Sequence, residues 1–216
     1  MDSIYMSRRE IAKVSKEPQR RNGRLRVAMI LSAATDLIAD KGYASTTMAE
    51  IAARSDTRIG SLYRFFPNKE SIANAMIMRY LEKMNEAFSA IENRIHGLSV
   101  EALVDAFFDS FADLRKEGAA IMRLMDAHEE WLARQNEFRK NTVDRISRIF
   151  LMFHHGLDPD LARNMARVVI HNMKTMKMLI GQEDSTDNSG FIRELRTMTC
   201  LYIHNRLDPD GKGKRA

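Results

Sequence analysis

One cysteine, four prolines and ten glycines in 216 residues leave little material for cross-links or chain breaks. With Cys200 alone, neither an intrachain disulfide nor a cysteine-built zinc site can form. That suits a reducing cytoplasm. The shortage of helix breakers, beside 15 methionines and frequent Ala, Leu, Arg and Glu, favours helix over strand. No stretch reaches the ~18 apolar residues of a membrane span, so no membrane partner is expected. The first 23 residues are basic but lack the continuous apolar segment of a secretory signal. Period-two alternation and internal repeats are missing as well. A chain this long buries roughly 70% of its unfolded surface and needs no staple to fold.

What is there begins with charge. The net charge is +5, and residues 1–70 hold all of it, with 13 Lys and Arg against 8 Asp and Glu. Much of the excess lies in residues 1–23, expected to be a flexible arm, with Arg8, Arg9, Lys13, Lys16, Arg20 and Arg21. A basic arm beside a small domain suits a polyanion such as nucleic acid; a solvated tail is the plain alternative.

After the arm, Val27, Ile30, Ala34, Leu37 and Ile38 recur at helical spacing, and Gly42 follows Lys41 as a stop. Thr47 and Glu50 have capping-box spacing and open a short helix over 48–54. Ser55-Asp56-Thr57 reads as a tight turn, and a second short helix over 58–65 ends ahead of Pro67. A long helix is expected over 68–95, closed by Gly97. Further helices are expected over 100–116, 119–128, 130–154, 158–180 and 191–206, with Gly118 as a break and 181–190 as a polar connection. The fold class is all-α with about nine helices. The expected division is an arm (1–23), a helix-turn-helix domain (24–70), a larger helical domain (71–208) and a basic tail (209–216).

Two short helices about a tight turn, behind a capped start, form a helix-turn-helix, whose second helix can enter a major groove. Gly60 and Ser61 permit close approach to DNA. Arg58 and Arg64 can reach guanine O6 and N7 or phosphate, and Tyr63 offers a hydroxyl to phosphate. Lys69 stands at the start of the following helix, where amides also face anions. Phe65 and Phe66 read as core.

Thr46-Thr47-Met48-Ala49-Glu50-Ile51-Ala52, followed by Ile59-Gly60-Ser61-Leu62-Tyr63-Arg64-Phe65-Phe66-Pro67-Asn68-Lys69-Glu70-Ser71-Ile72, resembles the DNA-binding domain of the tetracycline-repressor (TetR) family. The resemblance spans about residues 25–75 and includes Lys41-Gly42-Tyr43. It implies a three-helix DNA-binding domain and a larger helical domain that binds a ligand and dimerises. It also implies phosphate contacts from Thr47, Tyr63 and Lys69, with Arg58, Gly60, Ser61 and Arg64 facing the groove. The turn departs from the family pattern. Asp56 stands where glycine is usual, Thr57 replaces an apolar residue and is expected to cap the recognition helix, and Arg58 replaces a small hydroxyl residue.

The implied function is a ligand-responsive transcriptional regulator, expected to be a repressor that binds a palindromic operator as a homodimer and is released by a small apolar or amphipathic effector. The effector pocket is expected among Met84, Phe88, Phe107, Phe111, Met122, Met125 and Phe150, since thioethers and aromatics adapt to apolar ligands. Ordinary core is the competing reading for each. Two apolar stripes, Leu161, Met165, Val168, Asn172, Met176 and Leu179 on one helix and Phe191, Leu195, Met198 and Tyr202 on the next, are expected to build a four-helix dimer interface. Catalysis and a cofactor are not expected. The chain has no GxGxxG, P-loop, GxSxG or HExxH motif. Asp105, Asp109 and Asp113 read as an acidic solvated face, and His154-His155 as a helix end. The alternative function is a helical protein–protein adaptor without DNA binding.

Overall fold

The computed structural model describes residues 21–125, 129–180 and 189–207, and all side chains within them except those of 129–135 and 177–180. Residues 1–20 of the basic arm, most of the polar connection (181–188) and the tail from 208 onward lie outside the described residues. Among the described residues the secondary structure is helical, with no strand. The order is α1 (Arg21–Lys41), α2 (Met48–Arg54), α3 (Ile59–Phe65), α4 (Lys69–Glu92), a 3-10 turn (Ile95–Gly97), α5 (Val100–Asp113), α6 (Arg115–Met125), α7 (Glu129–Phe153), α8 (Pro159–Ile180) and α9 (Ser189–Leu207).

Several boundaries differ from the sequence reading, beginning with α1, which starts at Arg21 inside the expected arm. The long helix α4 stops at Glu92, and Ile95–Gly97 forms a separate 3-10 turn. There the amides of Arg94 and Gly97 donate to the carbonyls of Ile91 and Arg94, i to i−3 bonds that tighten a helix end. Gly118 does not break the chain but is buried inside α6. A glycine in a helix interior costs about 1 kcal/mol relative to alanine. The buried neighbours Ile121, Leu124 and Met125 on the same helix outweigh that.

The chain forms two compact units, residues up to 82 with 116–133, and residues 83–115 with those from 134 onward. In the first unit Ile30, Ala34 and Ile38 of α1, Ile51 and Ala52 of α2, Leu62 of α3, and Ile72 and Ala73 of α4 are all buried. These are the inward positions of each amphipathic helix, three or four residues apart. Gly42 closes α1 at φ +84, and its amide donates to the Ile38 carbonyl at 3.0 Å. Lys116 of α6 pairs with Asp36 of α1 at 2.7 Å, and Arg123 donates to the Asp40 carbonyl at 2.9 Å.

The second unit is built on aromatic packing. Phe107 meets Phe150 edge-on with ring centroids 5.9 Å apart, and Phe88 lies 6.4 Å from Phe111. Asp105 and Asp109 are exposed, as an acidic face should be, yet both accept from Arg196 of α9 at 2.6 Å. Helix α7 ends at Phe153, just ahead of the His154-His155 pair.

Candidate nucleic-acid interface

The site begins with the local chemistry that starts α2. Thr47 adopts an extended backbone and forms the complete capping box. The Glu50 amide donates to its hydroxyl oxygen at 3.3 Å, and the Thr47 amide and hydroxyl both donate to a Glu50 carboxylate oxygen, at 2.9 and 2.8 Å. Lys41 donates to the other carboxylate oxygen. The Lys41 hydrogen bond, followed by those from Thr47, holds the Glu50 carboxyl down to about 2. Thr47 is exposed, but its hydroxyl hydrogen is committed to Glu50.

The turn to α3 needs a left-handed residue, and Asp56 supplies it at φ +47. Aspartate tolerates that conformation better than most side chains. The residues around it are tied to α2: the Thr57 amide donates to the Ala52 carbonyl at 2.9 Å, and the Ser55 hydroxyl donates to the Ile51 carbonyl at 2.7 Å.

Thr57 corrects the sequence reading. It is buried, its hydroxyl donates to the Ser55 carbonyl at 3.1 Å, and the N-cap of α3 is Arg58, without a side-chain cap bond. The position takes over the packing role of an apolar residue, and its hydroxyl is satisfied locally. It therefore presents nothing to DNA.

Helix α3 is two-faced over seven residues. Leu62 is buried and the following Phe66 closes the core beneath it. The opposite arc carries Ile59, Gly60, Tyr63 and Arg64, all exposed, with Arg58 exposed at the N-cap and Ser61 half-buried at the edge. An added Cβ at Gly60 would meet nothing within 4 Å, so the middle of this arc is bare backbone. Arg64 lies over the Phe65 ring at 5.4 Å, which keeps its guanidinium beside the helix. Ile59 was missed by sequence reasoning; the signal was its place on the solvent arc, one residue before Gly60.

Lys69 is the second correction. Its ammonium donates to the carbonyls of Tyr43 at 2.8 Å, Thr46 at 2.9 Å and Ala44 at 3.4 Å, and it lies 4.3 Å from the centroid of the Tyr43 ring. An ammonium has three donors, and all three are turned into the α1–α2 loop rather than outward to a phosphate. Burial pushes its pKa down.

Residues 30–76 match the model of the bacterial regulatory proteins of the tetR family, and residues 98–203 match that of the tetracyclin repressor-like C-terminal domain. The chain belongs to the TetR family. It is 23% identical over 199 residues to the HTH-type transcriptional regulator BetI of Cronobacter sakazakii, covering 90% of this chain and 94% of that one. An HTH-type transcriptional repressor of Mycobacterium tuberculosis is 33% identical over 107 residues, 46% of this chain and 57% of the repressor. Two solved structures share the fold. A TetR-like transcriptional regulator from Rhodococcus has a TM-score of 0.66 at 16% identity, covering 91% of this chain and 100% of that one. The fatty acid degradation regulator FadR from Bacillus halodurans has a TM-score of 0.61 at 20% identity, covering 92% and 100%. The protein is thus a TetR-family transcriptional regulator with a helix-turn-helix and a ligand-binding domain.

In this TetR-family regulator the seven expected pocket residues are divided between the two units. Met84, Phe88, Phe107, Phe111 and Phe150 are buried in the second unit. Met122 and Met125 belong to the first unit, and Met122, against expectation, is exposed because its side of α6 faces solvent. The expected interface stripes also split. Met165, Met176 and Leu195 are buried within the single chain, so they hold the unit together and have no surface left for a partner. Asn172 donates to the Thr199 hydroxyl at 2.9 Å and joins α8 to α9. Leu161, Val168 and Tyr202 are half-buried, and Leu179 is among the residues whose side chains are not described. Phe191 and Met198 are about half exposed, and Leu201, which sequence reasoning missed, is 66% exposed on the same side of α9.

Proposed function

We propose that this chain is a homodimeric, effector-released transcriptional repressor that reads a palindromic operator with α3. The observation that carries the reading is the solvent arc of α3, with Gly60 at its centre, Ile59 and Tyr63 on one flank and Arg64 on the other. Such an arc lets the helix backbone approach base edges closely while cations meet phosphate or guanine. Tyr63 and Arg64 take the phosphate contacts, and Arg58, at the end that enters the groove, takes a base contact.

Dimerisation follows from the need to read two half-sites one DNA turn apart, about 34–36 Å. Exposed Phe191, Met198 and Leu201 on α9 favour a self-complementary apolar contact. The effector is a small apolar or amphipathic molecule, a reading supported by the aromatic and thioether residues buried in the second unit and by one structural neighbour's description as a fatty acid degradation regulator. Such a regulator acts in the cytoplasm, where bacterial DNA lies.

The test is a gel-shift and footprint series on genomic fragments that include the DNA upstream of the protein's own gene. Protection of a two-fold symmetric site by a dimer is the expected result. Absence of any sequence-preferring complex sinks the reading and leaves the adaptor alternative standing.

A further inference from the structure

The solvent arc of α3 carries one aliphatic side chain among its polar and bare positions. Ile59 is 45% exposed at the first position of the helix. Single exposed aliphatic residues are common on protein surfaces and need no explanation by themselves. This one has a particular setting. Tyr63, one turn later and 50% exposed, stands on the same flank. Bare Gly60 lies beside it, with no atom within 4 Å of an added Cβ. Arg58, exposed and capping nothing, precedes it.

We infer that Ile59 is a specificity-determining residue that packs on the C5-methyl group of a thymine in each half-site. This rests on the reading of α3 as the helix that enters the major groove. Among the base-edge groups displayed there, the thymine methyl is the apolar one; the others are hydrogen-bond donors and acceptors. A branched aliphatic side chain pressed against those polar groups would strip them of water and return nothing. Against the methyl it removes apolar surface from water on both sides. Gly60 lets the helix come close enough for a short β-branched chain to touch the base edge, because no side chain props the backbone away. Arg58, at the N-cap, and Ile59, at the first helical position, are adjacent in the chain, so the guanine read by Arg58 and the thymine read by Ile59 belong to the same half-site.

The experiment begins with operator selection from a random pool by the wild-type protein. Each thymine of one selected half-site is then replaced, singly, by deoxyuridine, which removes only the methyl group. Binding is measured for wild type and for Ile59→Ala, an exposed change to the best helix former that leaves the fold intact. At one thymine position, wild-type binding should weaken about fourfold, the worth of one buried methyl-sized group. Ile59→Ala should bind the two DNAs equally and should select that position less strictly. If the wild type selects an operator but no deoxyuridine substitution weakens it, the inference is overturned while the operator reading stands. The same holds if Ile59→Ala keeps the full methyl sensitivity. If the wild type selects no sequence, the operator reading fails and takes this inference with it.

Discussion

The Lys69 ammonium lies 2.8 Å from the backbone carbonyl of Tyr43 and 4.3 Å from the centroid of the same residue's ring. One residue thus holds the lysine twice, through an acceptor and through a π face. Together with the Thr46 and Ala44 carbonyls, this fastens the start of α4 to the loop that leads into α2.

Lys69→Ala should therefore lower DNA affinity and the stability of the first unit without changing the salt dependence of binding. A lost phosphate contact, by contrast, reduces the slope of log K against log[salt] by about 0.9. Arg64→Ala should show that reduction. Gel shifts across a potassium chloride series decide between the two behaviours. A slope change in Lys69→Ala would mean that the ammonium leaves its carbonyls for a phosphate in the complex.

Glu50 makes the helix-turn-helix acid-sensitive. Its carboxyl is held at about 2, chiefly by the Lys41 hydrogen bond, against an ordinary value near 4.5. A depressed carboxyl contributes stability above the unfolded value and loses it as pH falls toward the folded one. The stability difference between wild type and Glu50→Gln should be constant at neutral pH and shrink between about pH 4.5 and 2. Urea denaturation followed by circular dichroism at several pH values measures it. Removing the cap itself, by Thr47→Ala, should cost about 1 kcal/mol at neutral pH.

Asp56 carries backbone strain at φ +47. Asp56→Gly should be neutral or stabilising by up to about 1 kcal/mol, because glycine adopts this conformation without a Cβ clash. Asp56→Val should destabilise by about 1–2 kcal/mol, since a β-branched side chain meets the clash in full. Thermal unfolding of the two variants should move the midpoint in opposite directions, or leave the glycine variant unshifted.

Substitutions on α8 and α9 should separate by burial. Leu201→Arg and Met198→Glu, on the exposed side of α9, should yield folded monomers with weakened operator binding. Met165→Glu, fully buried, should unfold the second unit instead, since an unpaired buried charge is strongly destabilising. Light scattering with circular dichroism distinguishes a folded monomer from a collapsed chain. A Leu201→Arg protein that stays dimeric would remove α9 from the interface.

The first third of the fold was legible in the sequence because its signals are local. The capping box needs only Thr47 and Glu50, three residues apart. The turn needs one residue tolerant of positive φ, and the aliphatic spacing of α1 to α3 follows from 3.6 residues per turn. What the sequence could not determine is where a side chain points once distant elements pack around it. Lys69 turns inward because carbonyls 23 to 26 residues earlier in the chain are brought beneath it. Thr57 is buried because α2 and α3 close over it, and Gly118 stays helical because α6 is packed. Met165, Leu195, Phe191 and Met198 all read as apolar stripe, yet the first two are core and the last two are surface. Periodicity assigns a residue to one side of a helix. Only the neighbouring helices decide how wide a sector of that side is covered, and so which residues remain for a second chain or for DNA.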